Sequence, residues 1–130
     1  MSMMSAVALV GGLFSAGVTG FASKPPSSVS EAVLVALFVC WGCVPYLVAY
    51  LMSRVALRPT MRSMLLFGLA GYALLDGVVR VQALYFPTGS TDALIIIFMP
   101  IWSPVVMIVV GGSAAAILSK VRHRRAVEHD

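Results

Sequence analysis

The sequence predicts an all-α polytopic membrane protein, with four transmembrane helices in an up-down bundle and both termini in the cytoplasm. Three observations carry this prediction. Four apolar runs each reach the ~20 residues a helix needs to cross a bilayer. Within each run the apolar residues are continuous and do not alternate, which fits helices and not barrel strands. Basic residues are confined almost entirely to two places along the chain. Bulk composition agrees: 60% of the 130 residues are hydrophobic and 11% are charged, against about 25% charged in a soluble domain. A soluble fold of this size leaves too much surface in water to hide such a chain. A soluble enzyme, a nucleic-acid binder and a disordered chain are thereby excluded. There is one membrane domain, residues 1–130.

The first run covers residues 3–21 and carries no charge. Ala8, Gly12, Ala16 and Gly20 recur every fourth residue, with Gly11, Ser15 and Thr19 as a second small-residue stripe. Small residues at this spacing let two helices approach closely. The neighbour is either another helix of the same chain or a partner. The Gly20-Phe21-Ala22 sequence also offers small residues suited to signal cleavage, but no Lys or Arg precedes the run, so a retained span is expected.

The second run covers residues 31–53, with Ser30 read as the N-cap and Glu31 in the first turn. It holds Cys40-Trp41-Gly42-Cys43 and Pro45. Redox CxxC pairs sit at helix amino termini, where solvent and the dipole favour the thiolate. Here nine residues of the same run precede Cys40, and no second cysteine pair exists to relay electrons. Packing beside Trp41 is the expected role. Two thiols without a membrane histidine are too few for a metal. The histidines, His123 and His129, lie in the tail, so no histidine can hold haem in the membrane. No metal or cofactor is expected.

The third run, residues 63–86, contains Asp76 and Arg80. An ionisable residue at mid-membrane costs ~2.5–3.5 kcal/mol on insertion scales. A spacing of four places both on one helix face, with the acid amino-terminal, the better orientation. Tyr72 shares that face as a candidate donor to the carboxylate. One reading is a proton or cation site, or an anchor for a partner helix. The other is a self-satisfied ion pair that fixes this helix, with Arg80 partly snorkelling outward.

The fourth run, residues 92–119, has Thr91 read as its N-cap and Asp92 in the first turn, and contains Pro100, Ser103 and Pro104. Each proline removes a backbone hydrogen bond. Pro45, Pro100 and Pro104 therefore free the carbonyls of Trp41, Ile96 and Pro100, which need donors in lipid. Broken helices meeting at the midplane build the substrate sites of many transporters; plain packing is the alternative. The basic tail, residues 120–130, reads as a stop-transfer anchor or as a contact for anionic headgroups.

Orientation follows from the basic residues. With four spans, Arg54, Arg58, Arg62, Lys120, Arg122, Arg124 and Arg125 share one side, opposite Lys24. That asymmetry places them in the cytoplasm. No Ser/His/Asp set, metal motif or phosphate loop is present. The expected protein is a multi-pass component of a bacterial inner membrane, without catalytic residues, that meets the lipid bilayer and either a membrane-protein partner or a second copy of itself. It would serve as an accessory subunit or an immunity-type protein. The alternative is a protomer of a small oligomeric transporter or channel, with Asp76 coupling the ion.

Overall fold

The computed structural model describes residues 2–55, 58–89 and 91–127. Those residues form four helices and no strand: α1 Met3–Ala22, α2 Val29–Met52, α3 Pro59–Tyr85 and α4 Thr91–Val127. Each is long and apolar enough to cross a membrane.

The helix starts are set by local chemistry. In α1, Ser2 caps by accepting the Ser5 amide at 3.1 Å. The α2 cap is Ser28, not Ser30: its hydroxyl accepts the Glu31 amide at 3.3 Å. Glu31 in return accepts the amide and the hydroxyl of Ser27, each at 2.7 Å. Ser28 and Glu31 thus resemble a capping box, with the acid three residues into the helix reaching back over the first turn to Ser27, one residue before the cap. The helix α3 begins at Pro59, earlier than the apolar run, because proline at the first position gives up only an amide that has no partner there anyway. Thr91 is the first residue of α4 and not its cap, and the Asp92 carboxylate accepts the amides of Thr88 at 2.6 Å and Gly89 at 3.2 Å. Helix α4 continues through both of its prolines and beyond residue 119 to Val127, so most of the basic tail extends the helix.

Packing follows a ring. The α3/α4 interface is the most extensive, α1 packs on both α2 and α3, and α4 completes the ring against α2. Across the diagonals the backbones of α2 and α3 approach at few places, so these helices meet mainly through side chains, and the backbones of α1 and α4 do not come close among the described residues. Glycine permits the closest approach: a Cβ at Gly68 would strike the Met107 carbonyl, and one at Gly111 the Met64 carbonyl. Backbone lies on backbone there, the arrangement small residues allow between membrane helices.

In α1 the buried face is Met4, Ser5, Ala8, Gly11, Ser15 and Thr19. The four-residue stripe behaves differently along its length. Ala8 is buried, Gly12 and Ala16 are half-buried, and Gly20 is exposed with nothing near its Cβ position. Helical geometry explains this. A repeat of four overshoots the helical turn by about 40°, so three repeats carry the stripe about 120° off the contact face. Ser15 and Thr19, seven and eleven residues after Ala8, return to within about 20° of it. Large apolar side chains such as Leu13 and Leu74, each 74% exposed, cover the outside. In water that surface would be a liability; in hydrocarbon it is the expected one.

Candidate functional site

Tyr72, Asp76 and Arg80 occupy successive turns of α3 and are almost completely buried, at 0%, 1% and 1% exposure. Arg80 Nη2 donates to Asp76 Oδ1 at 2.9 Å, and Arg80 Nε donates to Oδ2 at 3.4 Å. The second donor to Oδ2 is the Tyr46 hydroxyl of α2, at 2.9 Å. Arg80 Nη1 donates to Thr19 Oγ1 of α1 at 3.1 Å. Thr19 in turn donates its own proton to the Ser15 carbonyl at 2.8 Å. One charge pair therefore ties three helices together, and both carboxylate oxygens have donors.

Gly42 makes room for this arrangement. A Cβ there would lie 2.9 Å from Nη2, 3.0 Å from Nη1 and 3.2 Å from Cζ of Arg80. The guanidinium lies against the α2 backbone, where any side chain at position 42 would displace it.

Two expectations from the sequence need correction. Arg80 does not snorkel outward, and Tyr72 does not reach the carboxylate: its buried hydroxyl has no hydrogen-bond partner among the described residues. Both follow from the direction of helical side chains, which lean toward the amino terminus. Arg80, one turn beyond Asp76, leans back onto it. Tyr72, one turn before, leans away. The phenol that serves Asp76 comes instead from α2, and the Tyr46 and Tyr72 rings pack with centroids 5.6 Å apart.

Pro45, Pro100, Ser103 and Pro104 lie together elsewhere. They line one cavity of about 340 Å³ in the α2/α4 seam, with Val48 and Met107 among its other walls. Neither Asp76 nor Arg80 borders it. Pro45 faces this cleft while the adjacent Tyr46 serves Asp76, so α2 stands between the two features. The carbonyl that Pro104 leaves without its helical partner, that of Pro100, accepts the Ser103 hydroxyl at 2.7 Å. Trp41 crosses the same seam, its indole N–H donating to the Ile97 carbonyl at 2.8 Å. Cys40 is exposed and free. Cys43, also free, donates to the Gly12 carbonyl at 3.6 Å. Among the described residues, no three of His, Cys, Asp and Glu gather as a metal set.

Tyr46, Thr19 and Gly42 are the members of the site that sequence reasoning does not assign to Asp76 and Arg80. Thr19 stands out in the sequence only as part of a small-residue stripe. Tyr46 carries one available signal, a phenol in mid-span that needs a buried partner. Compared with protein-family models, with curated proteins and with solved structures, the chain matches none.

Proposed function

We propose that this chain is a small multi-pass protein of a bacterial inner membrane that acts by helix–helix contact, as an accessory subunit or an immunity-type protein, without chemistry of its own. One observation carries the reading: the intramembrane acid is already satisfied within the chain. Asp76 receives Arg80 and Tyr46, and Arg80 spends a further donor on Thr19. A coupling carboxylate needs a free oxygen for its ion, whereas this one serves as a clamp.

An up-down arrangement with cytoplasmic termini is supported by the pairing of helix ends. Ser5, near the start of α1, lies 2.8 Å from Ser53, which caps the end of α2. Between α3 and α4 the order runs oppositely, Met64 beside Gly111 and Gly68 beside Met107. Neighbours in this sense bring the seven basic ends to one face, and such a face stays in the cytoplasm.

The α2/α4 cleft is the best-supported contact surface, because prolines on both walls line an apolar hollow there. Purification from native membranes in mild detergent should bring down one membrane protein in fixed stoichiometry. Val48→Trp, which fills the cleft, should release it while thermal stability holds. A monodisperse chain that retains no partner, or retains it equally in Val48→Trp, would remove the support.

A second reading, an oligomeric transporter using Asp76, is favoured by one detail: the unpartnered Tyr72 hydroxyl one turn from the carboxylate. Tyr72→Phe breaks no hydrogen bond, so proteoliposome flux that falls in this variant at unchanged stability would select the transporter.

A further inference from the structure

A second cavity, of about 350 Å³, opens where α3 begins and α4 leaves its apolar run. Pro59, Thr60 and Ser63 form one wall, and Ala115, Leu118 and Ser119 the other. The lengths apolar enough to cross a membrane run over Pro59–Tyr85 and Leu94–Val121, so this groove lies near the start of one and the end of the other. Arg58 and Arg62 adjoin residues of the first wall in sequence and Lys120 adjoins the second, and all three are exposed. Among the described residues the only salt bridge is Asp76–Arg80, which leaves these three cations without a carboxylate.

We propose that this groove binds the headgroup phosphate of an anionic phospholipid. Position and charge select that ligand. A phosphodiester at the interface sits at the depth of the groove, and its acyl chains run down the apolar flank of α3 and α4. Arg58 and Arg62 supply charge-assisted donors of the kind that suit phosphate oxygens. The first turn of α3 adds to them: Arg58 provides no side-chain cap and Pro59 no amide, leaving the Thr60 and Met61 amides free for an anion. The hydroxyls of Ser63 and Ser119 bond to the Pro59 and Ala116 carbonyls and can rotate toward a ligand. Arg54 is engaged otherwise, with its guanidinium 5.1 Å over the Tyr50 ring.

The inference rests on the chain being embedded in a membrane, and on nothing about its partner. Its test is native mass spectrometry of the full chain in mild detergent, with phosphatidylglycerol, phosphatidylcholine or inorganic phosphate added. Phosphatidylglycerol should be retained at least about thirtyfold more strongly than phosphatidylcholine. Each basic residue near a membrane surface contributes roughly a fivefold preference, so the double variant Arg58→Gln/Arg62→Gln should lose about thirtyfold. Ser119→Leu keeps every charge but fills the groove, and should also lose phosphatidylglycerol. Arg54→Gln should retain it. Equal retention of phosphatidylcholine would overturn the proposal, as would displacement of the lipid by millimolar phosphate. Unchanged binding in Ser119→Leu, or an equal loss in Arg54→Gln, would show diffuse charge attraction and overturn it too. The measurement needs no co-purifying protein, so failure here and failure of the partner reading are separable.

Discussion

Removing the Asp76 carboxylate tests the clamp most directly. In Asp76→Asn, Arg80 keeps Thr19 and loses its counter-charge, while Tyr46 loses a charged acceptor. Deleting one partner of a buried ion pair costs about 3–5 kcal/mol, because the survivor is left charged and desolvated. Domains are typically stable by only ~5–15 kcal/mol, so the loss is a large fraction of the total. Arg80→Met should cost a similar amount, since the stranded Asp76 is then left buried without its counter-charge. The double variant Asp76→Leu/Arg80→Met leaves no charge and fills similar volume. It should return to within about 1–2 kcal/mol of the parent, as replaced buried pairs often do. The assay is reversible unfolding in mixed micelles by denaturing detergent, followed by circular dichroism. The cycle should give a coupling of at least about 2 kcal/mol. Two near-neutral single variants, or a double variant as unstable as the sum of its parents, would refute the clamp.

Further outcomes follow from the same geometry. Tyr46→Phe should destabilise by about 1–3 kcal/mol, the loss of a hydrogen bond to a charged group, whereas Tyr72→Phe should be neutral; the same unfolding assay separates them. Gly68→Ala and Gly111→Ala drive a methyl into a backbone carbonyl that cannot rotate away, and should cost at least ~1–3 kcal/mol. Gly20→Ala meets open space and should stabilise by up to about 1 kcal/mol through helix propensity, read as a raised thermal midpoint.

Much of the fold is legible in the sequence because lipid leaves a chain few options. Every backbone polar group in hydrocarbon must be paired, so a continuous apolar run of sufficient length can only be helical. What is harder to read lies at the ends and between helices. The start of α3 is obscured because Thr60, Met61 and Arg62 belong to a helix but not to the apolar run. Ser28 and Ser30 both sit just before an apolar stretch, and the choice between them turns on reading Glu31 as the third helical residue rather than the first. The convergence of Pro45 with Pro100 and Pro104 depends on α4 packing beside α2. No spacing along one chain encodes that neighbour choice.

The Asp76 centre shows where directional reasoning extends the sequence and where it stops. Spacing alone makes Tyr72 and Arg80 equivalent neighbours of Asp76, one turn to either side. The amino-terminal lean of helical side chains breaks that symmetry, bringing Arg80 onto the carboxylate and carrying Tyr72 away. An acid at mid-span with a base four residues later is therefore close to self-sufficient, with one lone-pair direction left on each oxygen. In this protein Tyr46 fills the one on Oδ2 from α2, while Thr19 takes the far side of the guanidinium from α1. Each of those donors and acceptors comes from a different helix, so the pair can be fully satisfied only once α1, α2 and α3 are together. A charge pair that is costly to insert alone thus becomes a condition on assembly: it favours the one arrangement in which all three helices meet, and it leaves α4, the helix absent from the network, as the one whose contacts the ion pair does not fix.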